Sequence, residues 1–176
     1  MRIINLLFFI CLSTVFFGQS KHKKDFKMIY ETVITYSFKD NPREITIKAT
    51  TLNNDILKRN YAGLATPLKN GIYIGNITLD SSWKPFLNQA DSMKLNLTSY
   101  EISRFKIPGF TIHFSELNKT SEGINVSLSN ILFSKNRAIV EVGYTCGPLC
   151  GEGRIYFLEK KNKKWQVISF LLTWIS

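Results

Sequence analysis

A chain of 176 residues with 44% hydrophobic and 20% charged side chains is the size of one globular domain with a leader, and it excludes a disordered, repetitive or low-complexity protein. Its 23 Lys and Arg against 13 Asp and Glu give a formal charge of +10, which favours polyanionic neighbours.

The chain opens MRIINLLFFICLSTVFFGQS, with one Arg, an apolar run from Ile3 to Phe17, and small or polar residues at Gly18, Gln19 and Ser20. That is the layout of a secretory signal peptide. Residues 1–20 are therefore expected to be removed, leaving 21–176 as a single domain in the periplasm or outside the cell. Such a mature chain keeps no transmembrane segment. Cys11 would leave with the leader, and its acylation is disfavoured by the bulky FFI before it.

From Asp25 to Phe38, the residues Phe26, Ile29, Tyr30 and Val33 fall at helical spacing, although the β-branched ETVIT opposes a helix. DNPRE is a turn, and EITIKATT over 44–51 alternates as a strand does. The pattern fades between Leu52 and Lys69. A second strand is expected over 71–79, then a helix over 80–93 carrying Trp83, Phe86 and Leu87, capped by Asp80, Ser81 or Ser82, with Pro85 in its first turn. GFTIHFSEL places Phe110, Ile112 and Phe114 on one strand face and His113 on the other. Further strands are expected over 124–133, 137–145, 153–160 and 164–174, separated by short turns. Consecutive antiparallel pairing makes them a β-meander. The predicted fold class is α+β: a twisted antiparallel sheet with the N-terminal helices packed on one face, a pattern that a cone like the nuclear-transport-factor-2-like superfold would fit.

The stretch TCGPLCGEG, 145–153, concentrates the candidate chemistry. If Cys146 and Cys150 face each other across Gly147, Pro148 and Leu149, antiparallel counting sets Tyr144 opposite Glu152, Val140 opposite Tyr156 and Arg137 opposite Glu159. A non-hydrogen-bonded antiparallel pair holds its α-carbons about 4.5 Å apart, within reach of a disulfide. Gly147, Gly151 and Gly153 supply positive φ or close backbone approach, and Pro148 fixes one φ. A redox pair normally has two residues between its cysteines at a helix start, and a structural zinc site needs about four ligands where only His22 and His113 remain. A structural disulfide is preferred over both, and no metal or cofactor is expected.

The segment VSLSNILFSKNRAIVEVGYTCGPLCGEGRIYFLEKKNKKWQVISFLLTWIS, 126–176, resembles the C-terminal module of a group of uncharacterised exported bacterial proteins. In that group a Tyr-x-Cys-Gly-x-Leu-Cys-Gly-x-Gly loop precedes a strand, a Lys-rich turn and a terminal Trp-Ile-Ser. The matching positions are Tyr144, Cys146, Gly147, Leu149, Cys150, Gly151, Gly153, Lys164, Trp165, Trp174, Ile175 and Ser176. Lys163 departs from the pattern, since relatives tend to carry Gly in that turn. The resemblance implies export and a hairpin, and it brings no activity with it.

No nucleophile elbow, phosphate-binding Gly loop or H-E-x-x-H pair occurs in the sequence. Glu152 reads as a loop carboxylate and His113 as a surface imidazole, while Trp83, Tyr144 and Trp165 are candidate pocket residues whose default role is core packing. The lysine clusters KHKK and KKNKK read as solvated, at a terminus and a hairpin tip. The expected function is a non-catalytic exported binding or interaction module. Its expected partner is an envelope polyanion or another envelope protein, with no specific nucleic acid. The alternative is an envelope-acting hydrolase, which would bring Glu152, Tyr144 or His113 within hydrogen-bond reach of one another.

Overall fold

The computed structural model of the chain describes residues 24–40, 44–48, 79–83, 85–87, 106–115 and 123–176. The expected leader, the patternless 52–69, the strand over 71–79 except Leu79, and most of the helix over 80–93 lie outside them.

Helix α1 spans 24–37. Ile29, Tyr30, Val33 and Ile34 recur at helical spacing and are almost wholly buried, so packing outweighs the low helix propensity of the β-branched run. Both ends are tied down. Asp25 accepts hydrogen bonds from Lys160 Nζ at 2.5 Å and Trp165 Nε1 at 3.1 Å. Tyr30 donates its hydroxyl to the Ser129 carbonyl at 2.8 Å. Toward the other end, Ser37 Oγ lies 2.7 Å from Tyr156 Oη.

The strands are β1 (Glu44–Lys48), β2 (Thr111–Ser115), β3 (Ile124–Leu128), β4 (Leu132–Ser134), β5 (Arg137–Gly147), β6 (Cys150–Lys161) and β7 (Lys164–Ile175). They form one open seven-stranded sheet in the order β2-β1-β3-β5-β6-β7, with β4 beside β5. The fold is α+β as expected, and β5, β6 and β7 form the expected meander.

Three expectations are corrected. The sheet is mixed, because β1 pairs parallel with both β2 and β3. Parallel neighbours need long crossovers, and the long segments between β1 and β2 supply one that strand periodicity does not reveal. The strand expected over 124–133 is two strands: Leu128 pairs Val142 while Leu132 pairs Ile139, so three residues oppose two in a bulge. Ser129 fills the gap, its Oγ accepting from Glu141 N at 2.8 Å.

The helical elements also fail to share a face. One face of the sheet, with Ile45, Ile47, Val126, Leu128, Val140, Tyr156 and Leu158, packs on α1. The other, with Leu132, Ile139, Ile155 and Phe157, packs on Trp83, Phe86 and Leu87 from a 3₁₀ turn at Ser81–Trp83 and a helical segment at 85–87. Asp80 opens that turn by accepting from Ser82 N at 2.8 Å. The physical reason is the unbroken burial of residues 138–143 and 155–158, which makes both faces apolar so that each needs a cover.

Candidate functional site

The cysteine hairpin forms as a staple. Cys146 and Cys150 are disulfide-bonded with α-carbons 5.1 Å apart. The register follows the count from the loop: Arg137 pairs Glu159, Val140 pairs Tyr156 and Tyr144 pairs Glu152, with an irregularity only at Cys146. Pro148 and Leu149 make the tip, where Leu149 is 90% exposed.

The glycines around the bridge have a packing role. Gly143 pairs Gly153 across β5–β6, and Gly153 pairs Trp174 across β6–β7. The Trp174 indole lies over all three of Gly143, Gly151 and Gly153, at 3.3 Å and 3.1 Å from where a Cβ on the first two would stand. Ser176 N donates to the Gly151 carbonyl at 3.0 Å, completing the attachment of the Trp-Ile-Ser segment. Of the three loop glycines singled out from the sequence, only Gly147 has a positive φ, +156°. Gly151 and Gly153 are required by close approach.

Of the candidate polar residues, Tyr144 and Glu152 stand opposite each other in the β5–β6 register, while His113 is remote and each of the three has a different partner. Glu152 pairs with Arg154, whose guanidinium stacks on Phe170 at 4.8 Å. The Tyr144 ring packs edge-on to Phe38 at 5.4 Å. His113 lies on β2 beside Glu44 of β1, 3.0 Å away, at the far side of the sheet. Trp83 covers one face, with Arg137 stacked on it at 4.9 Å, while Trp165 and Tyr144 belong to the other. The three candidate pocket aromatics therefore do not line one cavity.

Two buried ionisable groups, Glu141 and Tyr156, lie outside the set of candidate site residues. Glu141 is 8% exposed on the face opposite α1, with Thr173 Oγ1 donating to it at 3.4 Å, and burial pushes its carboxyl up from the ordinary range. Burial likewise pushes up the Tyr156 phenol, against the pull of its hydrogen bond to Ser37 and of nearby Arg154. Glu141 was hidden because it sits within the otherwise apolar AIVEV.

A concave site does exist elsewhere. A groove of about 670 Å³ runs between the outer side of α1, the segment at 107–108 and the start of β7. Its apolar lining comes from Met28, Tyr36, Ile107, Pro108, Trp165 and Val167, and its polar rim includes Glu31, Lys39, Lys163 and Lys164. A larger space of about 800 Å³ adjoins 106–114, but its described lining is a single continuous segment along β2. The groove instead draws on three segments distant in sequence, which is how a preformed ligand site is built. Trp165 is the one predicted pocket residue in it.

The β6–β7 turn supplies the mouth of the groove. Lys161 pairs Lys164 across a two-residue loop, Asn162 and Lys163, with φ of +49° and +65°. That is the type I′ geometry suited to the twist of a hairpin. The KKNKK cluster then divides. Lys160 binds Asp25 and Lys161 reaches Glu159 at 3.3 Å, whereas Lys163 and Lys164 have no acidic partner among the described residues.

Among the described residues, no group of three or more His, Cys, Asp or Glu is placed to hold a metal, and no helix is long and apolar enough to cross a membrane. No protein-family model, curated protein or solved structure matches the chain.

Proposed function

We propose that the protein is an exported, non-catalytic binding module, stapled by its hairpin disulfide, that seats a ligand in the groove between α1 and the start of β7. The observation carrying this reading is the groove itself: an open groove of about 670 Å³ whose lining is mainly apolar and includes four charged side chains. That volume lies within the range of roughly 300–1,000 Å³ typical of small-molecule sites. The cysteine bridge supports export, since such bonds persist in oxidising compartments. A sheet wrapped on α1 as a cone, in the manner of the nuclear-transport-factor-2-like superfold, belongs to the same reading and would place the groove at the rim of the cone.

Two measurements test it. N-terminal sequencing of the chain recovered outside the cytosol should find it cut between Gly18 and Lys21; an intact leader on the folded protein would refute export. The neutral apolar dye N-phenyl-1-naphthylamine should bind the folded chain with enhanced fluorescence. Thr35→Trp, an exposed helix position on the groove, should remove at least about nine-tenths of that binding without lowering the unfolding midpoint, because an indole fills space at no buried cost. Undiminished dye binding would place the site elsewhere.

A further inference from the structure

We propose that the groove takes a single-chain amphiphile with an anionic head, the head at Lys163 and Lys164 and the tail along α1; this rests on the groove being the ligand site.

The charge distribution fixes the head. Each of the other charged groups lining the groove has a counterion beside it: Glu31 has Lys27 at 3.7 Å, and Lys39 has Asp40 at 3.8 Å. Lys163 and Lys164 alone bring charge to the groove without an acidic partner among the described residues. The uncompensated charge is therefore positive and confined to one end. Two lysines at consecutive positions lining one groove suit a carboxylate or phosphate.

The lining fixes the tail. From Met28 to Tyr36, the helical residues that line the groove, the chain advances about 12 Å, at roughly 1.5 Å per residue, which is the reach of an extended medium-length acyl chain. Trp165 Nε1 is already committed to Asp25, so this indole offers the groove ring carbons and no free donor. Opposite lie Ile107 and Pro108, two further apolar walls. A hydrophilic polyanion would leave these surfaces unused. A free amphiphile is preferred over a membrane surface because the apolar lining comes from three separate segments, α1, 107–108 and the start of β7, and not from one helix face.

A third observation is independent of charge. Lys163 holds φ at +65°, a left-handed conformation in which any residue with a Cβ is disfavoured and glycine is the relaxed choice. Glycine at that position would relax the turn while removing the cation from the groove, so one substitution separates backbone strain from charge.

The experiment titrates the full chain, by displacement of N-phenyl-1-naphthylamine, with dodecanoate, dodecanol, dodecyltrimethylammonium and phosphatidylglycerol vesicles. Dodecanoate should bind about tenfold or more tighter than dodecanol, and dodecyltrimethylammonium weakest. Lys163→Gly and Lys164→Ser should each weaken dodecanoate by about threefold to tenfold and leave dodecanol unchanged. Lys163→Gly should do so with an unfolding midpoint no lower than the native chain's, which separates lost binding from lost folding. Equal affinity for dodecanoate and dodecanol would overturn the anionic head while leaving the groove standing. Binding to vesicles but not to dodecanoate would overturn the free amphiphile. Failure of every ligand, with the dye itself unbound, would instead bring down the groove.

Discussion

The bed of glycines under Trp174 makes a stability prediction that can be worked through. A Cβ on Gly153 would collide with Nε1 and Cδ1 of the indole and come within 2.6 Å of Thr173 Oγ1, so the ring cannot stay where it is. Trp174 is 38% exposed, which leaves roughly 150 Å² of a large aromatic side chain covered. At about 25 cal/mol per Å², complete displacement costs up to about 4 kcal/mol, and partial accommodation costs about 1–3 kcal/mol. Gly153→Ala is therefore expected to destabilise the fold by about 1–4 kcal/mol. Trp174→Ala should cost a similar amount, because it exposes the same surface. In the Trp174→Ala background, Gly153→Ala should cost less than about 0.5 kcal/mol, since its main steric opponent is gone. Urea unfolding followed by far-ultraviolet circular dichroism reads all four corners of this cycle without relying on tryptophan emission. Equal costs for Gly153→Ala in both backgrounds would refute the indole as the reason for glycine.

Two further outcomes follow from buried groups. The folded pKa of Glu141 lies above the ordinary 4.5, so over the window between the two values the native state holds a proton that the unfolded chain has lost. Stability therefore falls as pH rises through that window. Glu141→Gln should remove this slope and gain on the native chain from about pH 4.5 toward neutrality, with no gain at lower pH; an unaltered slope in urea unfolding across pH would refute it. Cys150→Ser opens a short ring and should cost about 2 kcal/mol. Alkylation without reductant should add no label at Cys146 or Cys150, and labelling at both would remove the staple.

What could be read from the sequence was local. The β5–β6 register followed from one assumption, two cysteines facing each other over a short loop, because antiparallel pairing propagates by counting. Arg137 and Glu159, found 3.4 Å apart, show how far the count carries. The α1 pattern survived its β-branched residues because Val33 and Ile34 are fully buried, a tertiary gain outweighing a local preference. Neighbours distant in the chain were not legible: Ile45 pairs both Ile112 and Ile124, and nothing in EITIK names either partner. The second helical segment was placed on the wrong face for the same reason. Its apolar residues announce that they need a partner, while the choice of face depends on the sheet having two apolar sides. The groove was missed because KKNKK looked uniformly solvated. Only the fold shows that two of its lysines are tied to Asp25 and Glu159 while two are left at a concave mouth.

The meander keeps holding and binding apart. β6 has Cys150 of the bridge and two of the glycines under Trp174, Gly151 and Gly153, among its first residues, and the lysine turn after its last. Twelve residues at about 3.3 Å each put close to 40 Å between those ends. Screening removes most coupling between exposed charges beyond about 10 Å, so charges at the glycine-rich end act weakly on the groove mouth. The end of the hairpin that drew attention in the sequence is thus the one whose residues are consumed in packing: sulfur on sulfur, indole on glycine, Glu152 on Arg154. The quieter end keeps what recognition needs, a buried aromatic already anchored through Asp25, an apolar trough along α1, and two ammonium groups not neutralised by any described carboxylate. Substitutions at the first end should register chiefly in stability and those at the second chiefly in affinity, and Lys163, strained and cationic at once, is the position where the two are opposed.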